Sequence, residues 1–136
     1  MRTMPVQRLA VACLALLAAA APAEHPSAYG TWRNPKGTLA VRTAACGPGL
    51  CGAIVWANEE ALSDAREAGV EKLIGTQLLQ DYRAIGQGRW KGRVYVPDMG
   101  HSFPSRIVQT GPDELTISGC LIGNLFCRSQ VWRRVG

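Results

Sequence analysis

Four of the five cysteines form two short-range pairs, and each pair brackets a segment typical of a reversal between two β-strands. Cys46 and Cys51 flank a Gly-Pro-Gly sequence, which favours a tight turn. Cys120 and Cys127 flank a Gly-Asn step, and both of those residue types tolerate the positive φ angles of hairpin turns. The spacing therefore predicts a disulfide-linked antiparallel β protein in an oxidising compartment. The other two connectivities would join residues far apart in the sequence, and they stay open at this point.

The N-terminus also predicts export. Arg2 and Arg8 precede an apolar run over residues 9–21, and Ala21-Pro22-Ala23 is a small-x-small cleavage pattern. The apolar run has thirteen residues, whereas a helix needs about 20 to span a bilayer. We therefore predict that residues 1–23 are a cleaved signal peptide.

The predicted mature chain is one domain over residues 24–136, with no transmembrane segment and a periplasmic or secreted location. Cys13 would leave with the signal peptide, so the mature chain would retain an even number of cysteines. A lipid anchor at Cys13 is disfavoured, because the preceding Ala10-Val11-Ala12 lacks the usual leucine of a lipobox.

Basic residues are scattered, apart from two short clusters. Loss of Arg2 and Arg8 would reduce the formal net charge from +5 to +3. Arg89-Trp90-Lys91-Gly92-Arg93 could stack on nucleic acid, but the pattern is more typical of a strand with solvated basic residues facing outward. Because export also disfavours such a partner, we predict no nucleic-acid binding.

Most of the mature chain alternates apolar and polar residues with a period of two, and turn residues recur about every 8–12 positions. The exception begins at Asn58, a capping residue, and continues through good helix formers to Gly69. The sequence therefore predicts an all-β fold, a small antiparallel up-and-down β-barrel of about eight strands with one short helix. The predicted strands are residues 29–33, 39–43, 52–56, 77–85, 89–96, 102–109, 115–120 and 127–135.

Motifs along the whole mature chain resemble the lipocalin-type (calycin) barrels and the exported bacterial family DUF2147. These motifs are Gly30-x-Trp32, Cys46, Leu50-Cys51-Gly52-x-Ile54-x-Trp56, Trp90-x-Gly92-Arg93-x-Tyr95-x-Pro97, Leu115, Gly119-Cys120 and Gln130-x-Trp132-x-Arg134. The resemblance implies a lipocalin-like barrel and no assigned activity. It also implies that the tryptophan of the first strand packs at the closed end under a basic side chain, so Trp32, Trp132 and Arg134 are predicted to close the barrel.

No motif predicts catalysis, a metal or a cofactor. The cysteine pairs have four and six intervening residues, against the two to four usual within a zinc-binding pair, and no Cys-x-x-Cys redox motif is present. His101, Asp98 and Ser102 lie within one turn, whereas the members of a catalytic triad approach from separate segments. The carboxylates from Glu59 to Glu71 are typical of a solvated helix face. The protein is therefore predicted not to be an enzyme.

The tryptophans lie on separate predicted strands among small or polar neighbours, so several are expected to face the interior. An eight-stranded barrel can be filled by side chains or can hold one small ligand. Because the lipocalin-like resemblance favours a cavity, we predict a carrier or sensor of a small apolar ligand, with the helix near one mouth. The predicted lining is Trp56, Tyr82, Tyr95 and Phe103. The alternative is a filled barrel that serves as an envelope protein-interaction or structural module.

Overall fold

The computed structural model describes residues 2–3, 27–122 and 125–136. The described residues form eight β-strands and one α-helix. In chain order these are β1 (Gly30–Arg33), β2 (Leu39–Cys46), β3 (Gly49–Ala57), α1 (Glu59–Glu67), β4 (Gln77–Gly86), β5 (Arg89–Val96), β6 (His101–Gly111), β7 (Glu114–Ile122) and β8 (Leu125–Arg134). The predicted signal peptide, with Cys13, lies almost entirely outside the described residues and stays a prediction.

The eight strands form a closed antiparallel barrel in which each strand pairs with the next and β1 pairs with β8. Closure leaves no full-length strand edge exposed, which is how up-and-down barrels avoid edge pairing with other chains. The prediction of a small antiparallel barrel with one short helix is confirmed.

The turns define two ends of the barrel. We call the end that carries the β1–β2, β5–β6 and β7–β8 turns and α1 the mouth, and the end that carries the β2–β3, β4–β5 and β6–β7 turns the base. The disulfide Cys46–Cys51 joins β2 and β3 at the base, and Cys120–Cys127 joins β7 and β8 near the mouth. The predicted pairing within each short-range cysteine pair is therefore confirmed, and a disulfide cross-links one hairpin at each end.

Strand β1 is short, so its junction with β8 is narrow. Two residue pairs join these strands, Trp32 with Arg134 and Arg33 with Arg133, and Thr31 forms backbone hydrogen bonds with Val135 and Gly136 just beyond β8. The Arg134 guanidinium lies over the Trp32 ring, with its Cζ 4.3 Å from the ring centroid. Its N–H groups also donate to the backbone oxygens of Tyr29, at 2.8 Å, and of Pro112, at 3.1 Å. At the base an arginine thus stacks on a buried tryptophan, and the role of these residues in closing the barrel stays a prediction.

Helix α1 begins where the sequence predicts. The Asn58 side chain accepts a hydrogen bond from the Ala61 N–H at 2.9 Å, which satisfies one of the free donors of the first turn. Glu59 and Glu60 lie in the first turn, where the helix dipole stabilises negative charge. The buried Ala65 faces the barrel, so α1 lies across part of the mouth. None of the helices in the described part of the chain is both long and apolar enough to cross a membrane.

Candidate functional site: a cavity at the mouth of the barrel

An open cavity of about 460 Å³ occupies the mouth. Most of its lining is apolar, with Leu78, Leu79, Ile117 and Trp132 among its buried members. The strands contribute to it by alternation, because every second side chain of a barrel strand faces the interior. On β8, for example, Arg128, Gln130 and Trp132 line the cavity, and these three positions alternate along the strand. The volume lies within the range of small-molecule binding sites, about 300–1,000 Å³.

Charged side chains surround the opening. Lys36 from the β1–β2 turn and Arg128 from β8 contribute positive charge to the lining, and Glu60 and Asp64 of α1 and Asp98 of the β5–β6 turn contribute negative charge. No ion pair within the described residues involves any of the five. The cavity thus combines an apolar interior with a rim that has charges available for a polar group.

Tyr82 fills the barrel beside this cavity. Its side chain is fully buried, and it lines neither the mouth cavity nor a smaller one at the base. Its hydroxyl donates to Ser105 Oγ at 2.8 Å, and Ser105 Oγ in turn donates to the Ser118 carbonyl at 2.6 Å. Burial raises the pKa of Tyr82 well above its ordinary value, because the phenolate would be poorly solvated there. The interior is therefore partly filled and partly open.

A bulge and a glycine position the Tyr82 ring. Asp81 and Tyr82 together face Gly92 of β5, and Asp81 has a φ of 52°, in the left-handed region. A Cβ built on Gly92 would lie 2.6 Å from Tyr82 Cγ and 2.8 Å from the Gln80 carbonyl oxygen. Only glycine allows the ring to lie this close to β5, which explains why the Trp90-x-Gly92 motif carries no side chain at this position.

The four residues predicted to line a ligand site separate into two groups. Tyr95 and Phe103 border the mouth cavity. Tyr82 lies outside its lining, as described above, and Trp56 is 41% exposed and does not reach it. The predicted lining is thus corrected for Tyr82 and Trp56.

A β-bulge explains the position of Trp56. Ile54 pairs with Val41, but Trp56 pairs with Ala40, so Val55 is an extra residue on β3. One extra residue reverses the alternation of sides, and Trp56 therefore faces outward rather than following Ile54 into the core. There it lies beneath the Arg33 guanidinium, whose Cζ is 5.0 Å from the ring centroid.

Trp132, predicted from the resemblance as a closing residue, is also part of the cavity lining. It is 5% exposed, and its Nε1–H donates to Gln130 Oε1 at 3.0 Å. Leu78, Leu79 and Arg128 also line the cavity and are not among the residues predicted from the sequence. The period-two pattern was a usable signal for Arg128, because it lies four residues before the inward-facing Trp132 on the same strand.

A second cavity, of about 230 Å³, lies at the base and includes Ala28, Leu50, Trp90 and Gln109 in its lining. Gln109 Nε2 is buried there without a hydrogen-bond partner among the described residues. Those residues also contain no group of three or more His, Cys, Asp or Glu placed to hold a metal ion. His101 is exposed at the start of β6, and no nucleophile or second titratable group of the described residues forms a hydrogen bond with it.

Comparisons with known proteins agree on family and fold. Residues 30–134 match the family described as "Uncharacterized protein conserved in bacteria (DUF2147)". No curated protein matches the sequence. Among solved structures, protein HP1028 from the human pathogen Helicobacter pylori, described as belonging to the lipocalin family, is similar with a TM-score of 0.62. The match covers 82% of this chain and 85% of that chain at 13% sequence identity, and at this identity it shows a shared lipocalin-like fold alone.

Proposed function

This chain belongs to the bacterial family DUF2147, and from the mouth cavity of its lipocalin-like barrel we propose that it binds a small, mainly apolar molecule there. The observation that carries the proposal is the cavity itself, open at one end and lined by buried apolar side chains. Burial of a ligand against such a surface would contribute about 0.8 kcal/mol per methylene group. A filled barrel would offer no such gain.

The rim indicates that the ligand has a polar end. The apolar part would lie against Leu79, Ile117 and Trp132, and the polar end would remain at the opening near Lys36 and Arg128 or near the α1 carboxylates. In this orientation the polar group stays solvated, and no unpaired charge is buried. The proposed ligand is therefore an amphiphile, such as a molecule with one short hydrocarbon chain.

Binding is tested by blocking the cavity. Val94 lines the cavity and is half-buried, so Val94→Trp places a large ring inside it. Val55→Trp makes the same chemical change at a 43% exposed position outside the lining and serves as the matched control. Binding of a fluorescent apolar probe, anilinonaphthalene sulfonate, and of a medium-chain fatty acid is measured by titration. We expect both ligands to bind the wild-type protein and Val55→Trp, and Val94→Trp to bind at least ten-fold more weakly.

Equal binding by all three proteins would contradict the proposal, since the probe would then sit elsewhere on the surface. No binding of either ligand to the wild-type protein, together with no co-purifying molecule in native mass spectrometry, would favour the filled-barrel interaction module instead. Circular dichroism of Val94→Trp checks that the barrel is retained.

We further propose that the mature protein starts near Glu24 and resides in the periplasm or outside the cell. The two disulfides support this, because such bonds persist in oxidising compartments. The intact mass of protein from a periplasmic fraction tests the proposal. It should correspond to residues 24–136 with four hydrogens fewer than the reduced chain, and a retained N-terminus or free thiols would contradict it.

A further inference from the structure

The outer surface of strands β4, β5 and β6 carries five exposed basic side chains, which we call the basic face: Arg83, Arg89, Lys91, Arg93 and Arg106. Arg83 pairs with Lys91 across β4 and β5, and Lys91 pairs with Arg106 across β5 and β6. Three cations therefore stand directly opposite one another in a row across the sheet. Arg89 and Arg93 lie two residues before and after Lys91, so the alternation of β5 places them on the same side.

The basic face holds the excess positive charge of residues 27–136. On β4, β5 and β6 the sole carboxylate is Asp81, against five basic residues, whereas the rest of residues 27–136 contains eight basic and eight acidic side chains. None of the ion pairs within the described residues includes a member of the basic face. Like charges directly opposite each other destabilise a sheet. The basic face therefore carries unpaired positive charge at positions where this charge destabilises the sheet. This supports a functional role for the basic face.

The size and composition of the basic face restrict its partner. Strands lie about 4.8 Å apart and rise about 3.3 Å per residue, so the five positions cover a patch of roughly 10 by 13 Å on the convex outer wall of the barrel. None of the five lines either cavity. The aromatic residue of this segment, Trp90, pairs with the buried Ile107 and lines the base cavity, so it cannot stack on a base from the outer face. Single-stranded nucleic-acid sites combine cations with such stacking residues, and tight protein interfaces use buried aromatic or apolar anchors. On β4, β5 and β6 the one large apolar side chain that is exposed is Ile85, so charge dominates this face.

We propose that the basic face docks the protein on a bilayer surface that contains anionic phospholipids. A small array of exposed arginine and lysine side chains suits a fluid layer of phosphate groups, because each cation finds a phosphate without a fixed geometry. Each basic residue near such a surface adds a separate attraction that weakens at high salt. The inference is independent of the mouth cavity, since none of the five residues borders it.

The test uses the full mature chain with its disulfides and vesicles of phosphatidylcholine that contain about one third phosphatidylglycerol. Co-sedimentation measures the vesicle affinity of the wild-type protein, of the triple variant Arg83→Gln, Lys91→Gln, Arg106→Gln, and of a charge-matched control. We expect the wild-type protein to bind these vesicles at low salt and to bind pure phosphatidylcholine hardly at all. Loss of three cations from the basic face should weaken binding on the order of 100-fold.

The control variant is Arg42→Gln, Arg66→Gln, Lys72→Gln, which removes the same net charge from exposed positions outside β4, β5 and β6. It should lose less than ten-fold in vesicle affinity. The thermal midpoint of the basic-face variant should equal or exceed that of the wild-type protein, because the substitution relieves cross-strand repulsion. This second measurement separates lost docking from lost folding.

Three outcomes would overturn the proposal. The wild-type protein could fail to bind anionic vesicles at low salt. The two triple variants could lose affinity equally, in which case net charge alone would explain binding. The wild-type protein could bind a single-stranded oligonucleotide more tightly than the vesicles, which would assign the face to a soluble polyanion.

Discussion

The buried contact between Tyr82 and Ser105 offers a sharp test of how the barrel interior is held together. Tyr82 has no solvent exposure, and Ser105 is 4% exposed. The Tyr82 hydroxyl donates to Ser105 Oγ at 2.8 Å, and the Ser105 hydroxyl donates to the Ser118 carbonyl at 2.6 Å. This chain of hydrogen bonds links β4, β6 and β7 inside the barrel. Two substitutions, Tyr82→Phe and Ser105→Ala, interrupt it at different atoms.

The two substitutions should lower the free energy of unfolding for different reasons. Tyr82→Phe removes one hydroxyl, while Ser105 keeps its bond to the Ser118 carbonyl, so the free energy of unfolding should fall by about 1 kcal/mol. Ser105→Ala leaves the Tyr82 hydroxyl buried without an acceptor, which should cost about 2 kcal/mol. In the double variant no hydroxyl is left without a partner. The double variant should therefore lose about 1 kcal/mol less than the sum of the single losses.

Urea unfolding followed by tryptophan fluorescence measures the three losses, and a loss of 1 kcal/mol corresponds to a fall of about 4 °C in the thermal midpoint. Tyr29→Phe is the matched control, because Tyr29 is 50% exposed and the same change there should fall within about 0.5 kcal/mol of zero. Strictly additive losses, or a Tyr82→Phe variant as stable as the Tyr29→Phe control, would refute the reasoning.

Three further outcomes are expected. Burial raises the pKa of Tyr82 above its ordinary value of 10.0, so above pH 10 the native state retains a proton that the unfolded chain releases. The free energy of unfolding should therefore fall by up to about 1.4 kcal/mol per pH unit above pH 10. Urea titrations at pH 9 and 11 measure this fall, and it should be smaller in Tyr82→Phe. Arg134→Lys should lower the free energy of unfolding by about 2–4 kcal/mol, because an ammonium cannot both stack flat on Trp32 and donate to several carbonyls. An unchanged urea midpoint would contradict this. Replacing Cys46 and Cys51 by serine should lower the free energy of unfolding by roughly 2 kcal/mol and leave the far-ultraviolet circular dichroism spectrum of the barrel unchanged. Loss of that spectrum would instead show that the disulfide is required for folding.

The strand order was predictable because each hairpin is indicated by residues close together in the sequence. The two cysteine pairs, the turn residues and the period-two pattern all act over short distances, and α1 begins at its predicted capping residue, Asn58. The positions of Tyr82 and Trp56 were not predictable, since both depend on β-bulges. A bulge adds one residue without any distinctive residue type, and at Val55 it reverses the side on which Trp56 emerges.

The mouth cavity was predictable only in part. Tyr95 and Phe103 border it, but whether the lumen is open depends on how far large side chains reach across it. The ring of Tyr82 packs against Gly92, which leaves room for it, whereas Gly119 borders the open cavity. Such packing is decided by contacts between distant strands, which the sequence pattern does not encode.

The short junction between β1 and β8 also has a consequence for the order in which the chain folds. The other seven strand pairs connect neighbours in the sequence, so each can form as the chain is made. The Arg134 contact with Tyr29 instead spans 105 positions, and closing a loop of that length costs roughly 4 kcal/mol in chain entropy. The junction should therefore form last, and weakening it at Arg134 should accelerate unfolding while leaving the refolding rate nearly unchanged.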